Sequence, residues 1–204
     1  MMPPMLRRLA RLLLPLAAVL TLASCYLPGS FDAEIELSRT GLYKMSFDGY
    51  IVDVNFYNDL RQGKLKAEEE RVKADRIIAD FKRDRDTKEA SYFGKGAFKV
   101  VWSKSGDIVK SRKVTFFRRN EDMLSISYVE EDRTITITGK YIKKEDAERL
   151  QQIGLNVQGV LRIKTDARVE GHNATKVTKE ALSSIYGWQI KSVTDPSPKM
   201  KIAF

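Results

Sequence analysis

Over residues 31–54 apolar and polar side chains alternate with period two. Phe31, Ala33, Ile35 and Leu37 stand against Asp32, Glu34 and Glu36, and after a Ser38-Arg39-Thr40-Gly41 turn Tyr43, Met45, Phe47 and Ile51 resume the alternation. Each run has one face to bury, and two runs joined by a short turn predict an antiparallel hairpin, with a bulge near Asp48-Gly49. Over 56–86 the period lengthens: Ala74, Ile77, Ile78 and Phe81 fall at i, i+3, i+4 and i+7, with charges of both signs on the other faces. That spacing predicts one long helix, and Gly63 offers a point where a short first helix can separate. Strand patterns return at 92–93, 97–103, 114–118, 124–129 and 134–141, parted by turn-forming clusters such as Gly94-Lys95-Gly96 and Ser105-Gly106-Asp107. A short helix is expected over 143–153, carrying Ala147, Leu150 and Ile153, and a long alternating strand over 157–169. A loop is expected from Gly171 to Ser184, then strands around Trp188-Ile190 and Met200–Phe204. The fold class these elements predict is α+β: a mostly antiparallel sheet of about 8 to 9 strands with one long helix (56–86) and one short helix (143–153).

The first 24 residues differ from the rest. A basic start (Arg7, Arg8, Arg11) leads into an apolar block, Leu12 to Leu20, interrupted by Pro15, and then into Thr21, Leu22, Ala23, Ser24 and Cys25. The block is too short to favour a stable span and has the build of a signal peptide. Leu22-Ala23-Ser24-Cys25 resembles the lipobox of bacterial lipoproteins, and the resemblance implies lipid on the Cys25 thiol and cleavage before it. An ordinary secretory signal with a coincidental cysteine, or an Arg-rich transit peptide, are the alternatives. The expected organisation is a cleaved signal peptide (1–24), a lipidated tether (25–30) and a single envelope domain (31–204). Lipobox proteins retained at the inner membrane often carry Asp after the cysteine. Here that residue is Tyr26, so the resemblance leans towards the outer membrane, facing the periplasm.

Charge adds little specificity. The chain of 204 residues has a net charge of +9, and the three arginines of residues 1–24 stand without any acid, which leaves 33 basic and 27 acidic side chains, a net of +6, from Cys25 onward. A moderately basic surface suits anionic headgroups or simply solvent. Nucleic acid is disfavoured by the expected compartment. With a single cysteine, no internal disulfide can form.

Candidate chemistry is sparse. Triad hydrolysis needs a base beside its nucleophile, and the only histidine, His172, lies in a predicted loop with no G-x-S-x-G elbow in the chain. Glu130-Glu131-Asp132 lacks the alternate spacing of a calcium loop. Gly94-Lys95-Gly96 lacks the remainder of a phosphate-binding loop and reads better as a hairpin turn. No catalytic residue, metal site or cofactor is therefore expected. One pattern is suggestive: Lys99, Trp102, Lys104, Lys113, Arg118 and Arg119 fall within two neighbouring predicted strands, and cations interleaved with aromatics can hold an anionic ligand at a membrane surface. The alternative is that Trp102 and Phe116 are core and the cations an ordinary solvent face.

From the lipobox onward the chain resembles a group of bacterial lipoproteins, in the strand Phe31-Asp32-Ala33 and the stretch Tyr92-Phe93-Gly94-Lys95-Gly96. Gly159-Val160-Leu161-Arg162-Ile163, His172-Asn173-Ala174 and Gly187-Trp188-Gln189-Ile190 are similar to the LppM-type lipoprotein domain. These short motifs cover under a third of the chain. The resemblance implies a β-rich, non-enzymatic envelope domain, held on the membrane by its N-terminal lipid, that handles a lipid or glycolipid. An assembly or scaffold subunit that meets an envelope protein through a sheet edge or the charged helix is the second expectation.

Overall fold

The computed structural model describes residues 26–116 and 123–203. The expected signal peptide, lipobox and Cys25, together with Arg118 and Arg119, lie outside the described residues. Among those described, twelve strands form two sheets and four helices accompany them.

The predicted hairpin is present as β1 (Tyr26–Leu37) and β2 (Leu42–Asp53). It is longer at its start than the sequence suggested, because the expected tether is strand from Tyr26 onward, with Leu27 opposite Val52 and only 2 % exposed. The irregularity falls beside Gly49, as expected, but the extra residue is on β1, between Pro28 and Phe31, across from residues 49–51. Asp53 ends β2 by capping the next helix, its Oδ1 accepting from the Phe56 N–H at 2.8 Å. The long predicted helix is two: α1 (Val54–Arg61) and α2 (Ala67–Lys82), with Gly63 at positive φ between them. α2 buries Ala74, Ile77 and Phe81, the stripe expected from the spacing.

The chain continues through β3 (Thr87–Gly94), β4 (Ala97–Asp107), α3 (Ile108–Ser111), β5 (Lys113–Thr115), β6 (Leu124–Val129), β7 (Thr134–Gly139) and α4 (Lys144–Gln152). It ends with β8 (Gln158–Thr165), β9 (Val169–His172), β10 (Lys176–Lys179), β11 (Ser184–Ile190) and β12 (Lys199–Ala203). The first sheet has the order β10-β11-β8-β1-β2-β4-β3 and the second β5-β6-β7-β12-β9. Every pairing is antiparallel except β1 with β8, which run parallel.

Three departures from the expected fold have physical causes. The strand expected over 157–169 is shared between sheets, since β8 ends at Thr165 in the first and β9 begins at Val169 in the second. The expected 171–184 loop holds the end of β9 and all of β10, whose four residues are exposed and so show no alternation. The meander expected from 91 to 141 is divided, β3 and β4 joining the first sheet and β5 to β7 the second.

The first sheet's inner face carries Ile35, Met45, Phe47, Phe98, Val100, Trp102, Ile163 and Trp188, all buried. α1 and α2 cover one part of it through Phe56, Ile77 and Phe81, while the second sheet covers another through Phe116, Ile126, Ile137 and Met200, forming one core cluster. A smaller cluster joins Leu27 and Val52 to Ala147, Leu155, Val157 and Val193.

Candidate functional site

Of the predicted cationic and aromatic residues, the described ones, Lys99, Trp102, Lys104 and Lys113, do not share a surface. Alternation along β4 sends Phe98, Val100 and Trp102 inward and Lys99 outward, while Lys104 shares the parity of Trp102. Lys99 pairs with Asp48 and lies 5.4 Å over the Tyr50 ring, beside a shallow outer depression of about 640 Å3. Lys104 pairs with Asp86 at 3.1 Å. Trp102 is 1 % exposed, donates Nε1–H to Asp84 Oδ2 at 3.2 Å and meets Phe116 edge-on at 5.0 Å, so its ring is core and reaches no surface ligand. Lys113 is exposed on β5, in the other sheet. Lys99, Lys104 and Lys113, on opposite faces or different sheets and with those of β4 already paired with carboxylates, do not converge on one anion.

A larger concavity lies elsewhere. A cavity of about 1010 Å3 runs from the inner face of the first sheet to α4 and the 192–199 segment. Towards the sheet it is bounded by the nearly fully buried Ala33, Ile35, Met45, Phe47 and Leu161, with Phe116 and Met123 on the second-sheet side. Ala147, Leu150 and Ile153 of α4 and its C-terminal end form the roof, and Tyr26, Leu27 and Pro28 of β1 also line it. A void of this size lined by aliphatic and aromatic groups suits an apolar guest, because such walls offer water few partners.

Among the charged residues of the lining cations outnumber acids: Lys140, Lys143, Lys144, Arg149 and Lys199 against Glu34, Asp146 and Asp195. Asp195 Oδ2 accepts from the Lys191 N–H at 2.7 Å and the Ser192 N–H at 3.1 Å, while Asp146 faces Arg149 at 3.5 Å and Glu148 faces Lys144 at 3.9 Å in exposed pairs on α4. Tyr141 stands among these cations with 74 % of its surface exposed. A rim of this build can hold a phosphate or carboxylate while the cavity takes an acyl chain. Residues 140–144 read Lys-Tyr-Ile-Lys-Lys in the sequence, a basic aromatic cluster as visible as the one over 99–119. Only the structure shows which of the two borders a cavity.

Asn173 fixes one wall. Its Oδ1 accepts from Trp188 Nε1–H at 2.8 Å and from the Lys199 N–H at 2.7 Å, and its Nδ2 donates to the Ser197 carbonyl at 2.9 Å. One amide thereby ties β11 of the first sheet to β12 of the second, which gives the Asn173 and Trp188 motifs a structural role. The neighbouring His172 accepts the Ala174 N–H on Nδ1 at 3.1 Å and packs its ring on Tyr186, without lining the cavity. Phe31 depends on glycine to enter the wall. It sits opposite Gly49 on β2 and Gly159 on β8, and a Cβ at Gly159 would lie 2.5 Å from the Phe31 carbonyl oxygen.

No family model and no curated protein matches the chain. Among solved structures, the NMR structure of the folded domain of Mycobacterium tuberculosis LppM is similar to it, with 12 % identity and a TM-score of 0.43 over 89 % of this chain and 95 % of that one. At that identity and score the likeness assigns neither a ligand nor a function.

Proposed function

We propose that the protein is a membrane-anchored bacterial lipoprotein that binds an anionic lipid or glycolipid without catalysing a reaction, its acyl chain in the cavity beneath α4 and its headgroup on the surrounding cations. The observation that carries this reading is the apolar cavity of about 1010 Å3 with five cations and three acids among its lining residues. The anchor is lipid on Cys25, and the location is the periplasmic side of the outer membrane. Burying a chain in such a cavity stabilises the complex by about 0.8 kcal/mol per methylene taken out of water.

The test is native mass spectrometry, with lipid extraction, on the chain from Tyr26 onward purified out of a bacterial envelope fraction. Starting at Tyr26 keeps β1 intact, whereas a start at Phe31 removes Leu27 from the smaller core cluster. Stoichiometric lipid is expected, and Leu150→Trp, which places an indole in the cavity, is expected to lose it while remaining folded. A wild-type chain that carries no lipid from the envelope, and takes none from phosphatidylglycerol vesicles, overturns the reading.

A second reading, an envelope assembly subunit, has one observation in its favour. β10 is an open edge of the first sheet, and the hairpin it forms with β11 exposes Val177 by 41 % and Leu182 by 85 %. A partner strand added there would lose its grip with Leu182→Asp, read by crosslinking in intact envelopes. Lys176 and Lys179 on that edge work against promiscuous pairing.

A further inference from the structure

We propose that the cavity is docked on the bilayer that carries the Cys25 anchor, with Lys140, Tyr141, Lys143 and Lys144 on anionic headgroups, and that it takes its lipid directly from that bilayer. The inference rests on the cavity reading above and adds the surface from which the ligand comes.

The first support is the absence of slack. The residue after Cys25 is already strand, paired with Asp53, and it lines the cavity together with Leu27 and Pro28. Consecutive Cα atoms stand about 3.8 Å apart, so lipid on the thiol is held one residue from the cavity wall. A flexible linker of about 20 residues would instead let the domain wander over roughly 25 Å. Short attachment keeps the cavity near the headgroups and makes encounter with bilayer lipid effectively intramolecular.

Charge and aromatic placement give the second. The cations of 140–144 line the cavity and Tyr141 stands exposed among them. Lysines attracted to an anionic leaflet, with an amphipathic ring between them, form a surface suited to the headgroup layer.

The experiment uses the full lipidated protein in phosphatidylcholine vesicles containing phosphatidylglycerol and a self-quenched fluorescent phosphatidylglycerol, and follows dequenching as the probe enters the protein. Inserting a 20-residue Gly-Ser segment between Cys25 and Tyr26 is expected to slow loading about tenfold or more, with final occupancy by native mass spectrometry unchanged. Lys143→Glu/Lys144→Glu, which alters both the docking face and the headgroup site, is expected to slow loading several-fold on the anionic vesicles and to lower final occupancy as well, unlike the inserted segment. Equal loading rates with and without the inserted segment, at full occupancy, overturn the direct-transfer inference and leave the cavity reading standing. No occupancy in any variant overturns both.

Discussion

On the α2 side of the first sheet Phe98 lies 5.2 Å from Tyr92, 5.8 Å from Phe81 and 6.3 Å from Phe56, ring centroid to centroid, and Phe98 and Phe56 have no exposed surface. Beneath α4 the same sheet meets Ala147, Leu150 and Ile153, and a cavity of about 1010 Å3 is left between them. The difference lies in the covering elements. α2 is 16 residues long and inserts a phenylalanine, whereas α4 is nine residues long and buries only an alanine completely. A short helix with a small buried residue cannot fill the space that four rings fill elsewhere. One sheet face can therefore be core in one half and container in the other, depending on what lies over it.

That contrast can be broken most severely from the filled half. Trp102→Ala opens a void between the sheets and leaves Asp84 without its indole donor, and is expected to destabilise the protein by about 3 to 5 kcal/mol in chemical denaturation. The counterpart in the hollow half, Leu150→Trp, is expected to change stability by less than about 1.5 kcal/mol, because the cavity has room for the ring. Equal costs at both sites would show that the two halves are packed alike.

Gly159→Ala tests the wall between them. Its Cβ would press on the Phe31 carbonyl oxygen and ring, and a backbone oxygen cannot rotate away. A cost of about 1 to 3 kcal/mol is expected, with a loss of lipid occupancy if Phe31 is pushed into the cavity.

The smallest effect is on alkaline stability. Burial, together with the hydrogen bond its hydroxyl donates to Glu70, pushes the Tyr92 phenol up from 10.0 to about 12. Because the folded state holds this proton more tightly than the unfolded chain, the contribution is complete below pH 10 and is lost as pH rises towards about 12. Tyr92→Phe is expected to flatten the stability profile across that window, read by urea midpoints at stepped pH. An unchanged profile would place the alkaline sensitivity elsewhere.

Much of the fold was legible where an element buries one face and exposes the other. The β1–β2 hairpin and α2 carry their periods openly, because Ile35 and Met45, or Ala74, Ile77 and Phe81, face a core while their neighbours face water. β10 has four exposed residues and nothing to alternate. The change of sheet between Thr165 and Val169 keeps its alternation across Asp166-Ala167-Arg168, so the pattern runs on while the strand does not. The cavity left no local mark, since its wall comes from the start of β1, residues 139–157 and residues 190–199. Lys99, Lys104 and Trp102 were conspicuous as neighbours in sequence, yet β4 sends Lys99 and Trp102 to opposite faces. Their partners Asp48, Asp86 and Asp84 come from other segments.

The parallel pairing of β1 with β8 bears on how the chain is made. β1 meets β2 at once across a four-residue turn, but its other edge waits for Gln158–Thr165, more than a hundred residues later. In a chain that emerges N-terminus first, that edge stays open until most of the protein exists, which slows closure of the sheet and leaves a strand available for mispairing. Asp32, Glu34 and Glu36 along it all carry negative charge, and the strand that finally arrives brings Arg162 and Lys164. The acids that later meet these cations thus repel another copy of the same open edge during synthesis, so that β1 is guarded against itself until its own partner is complete.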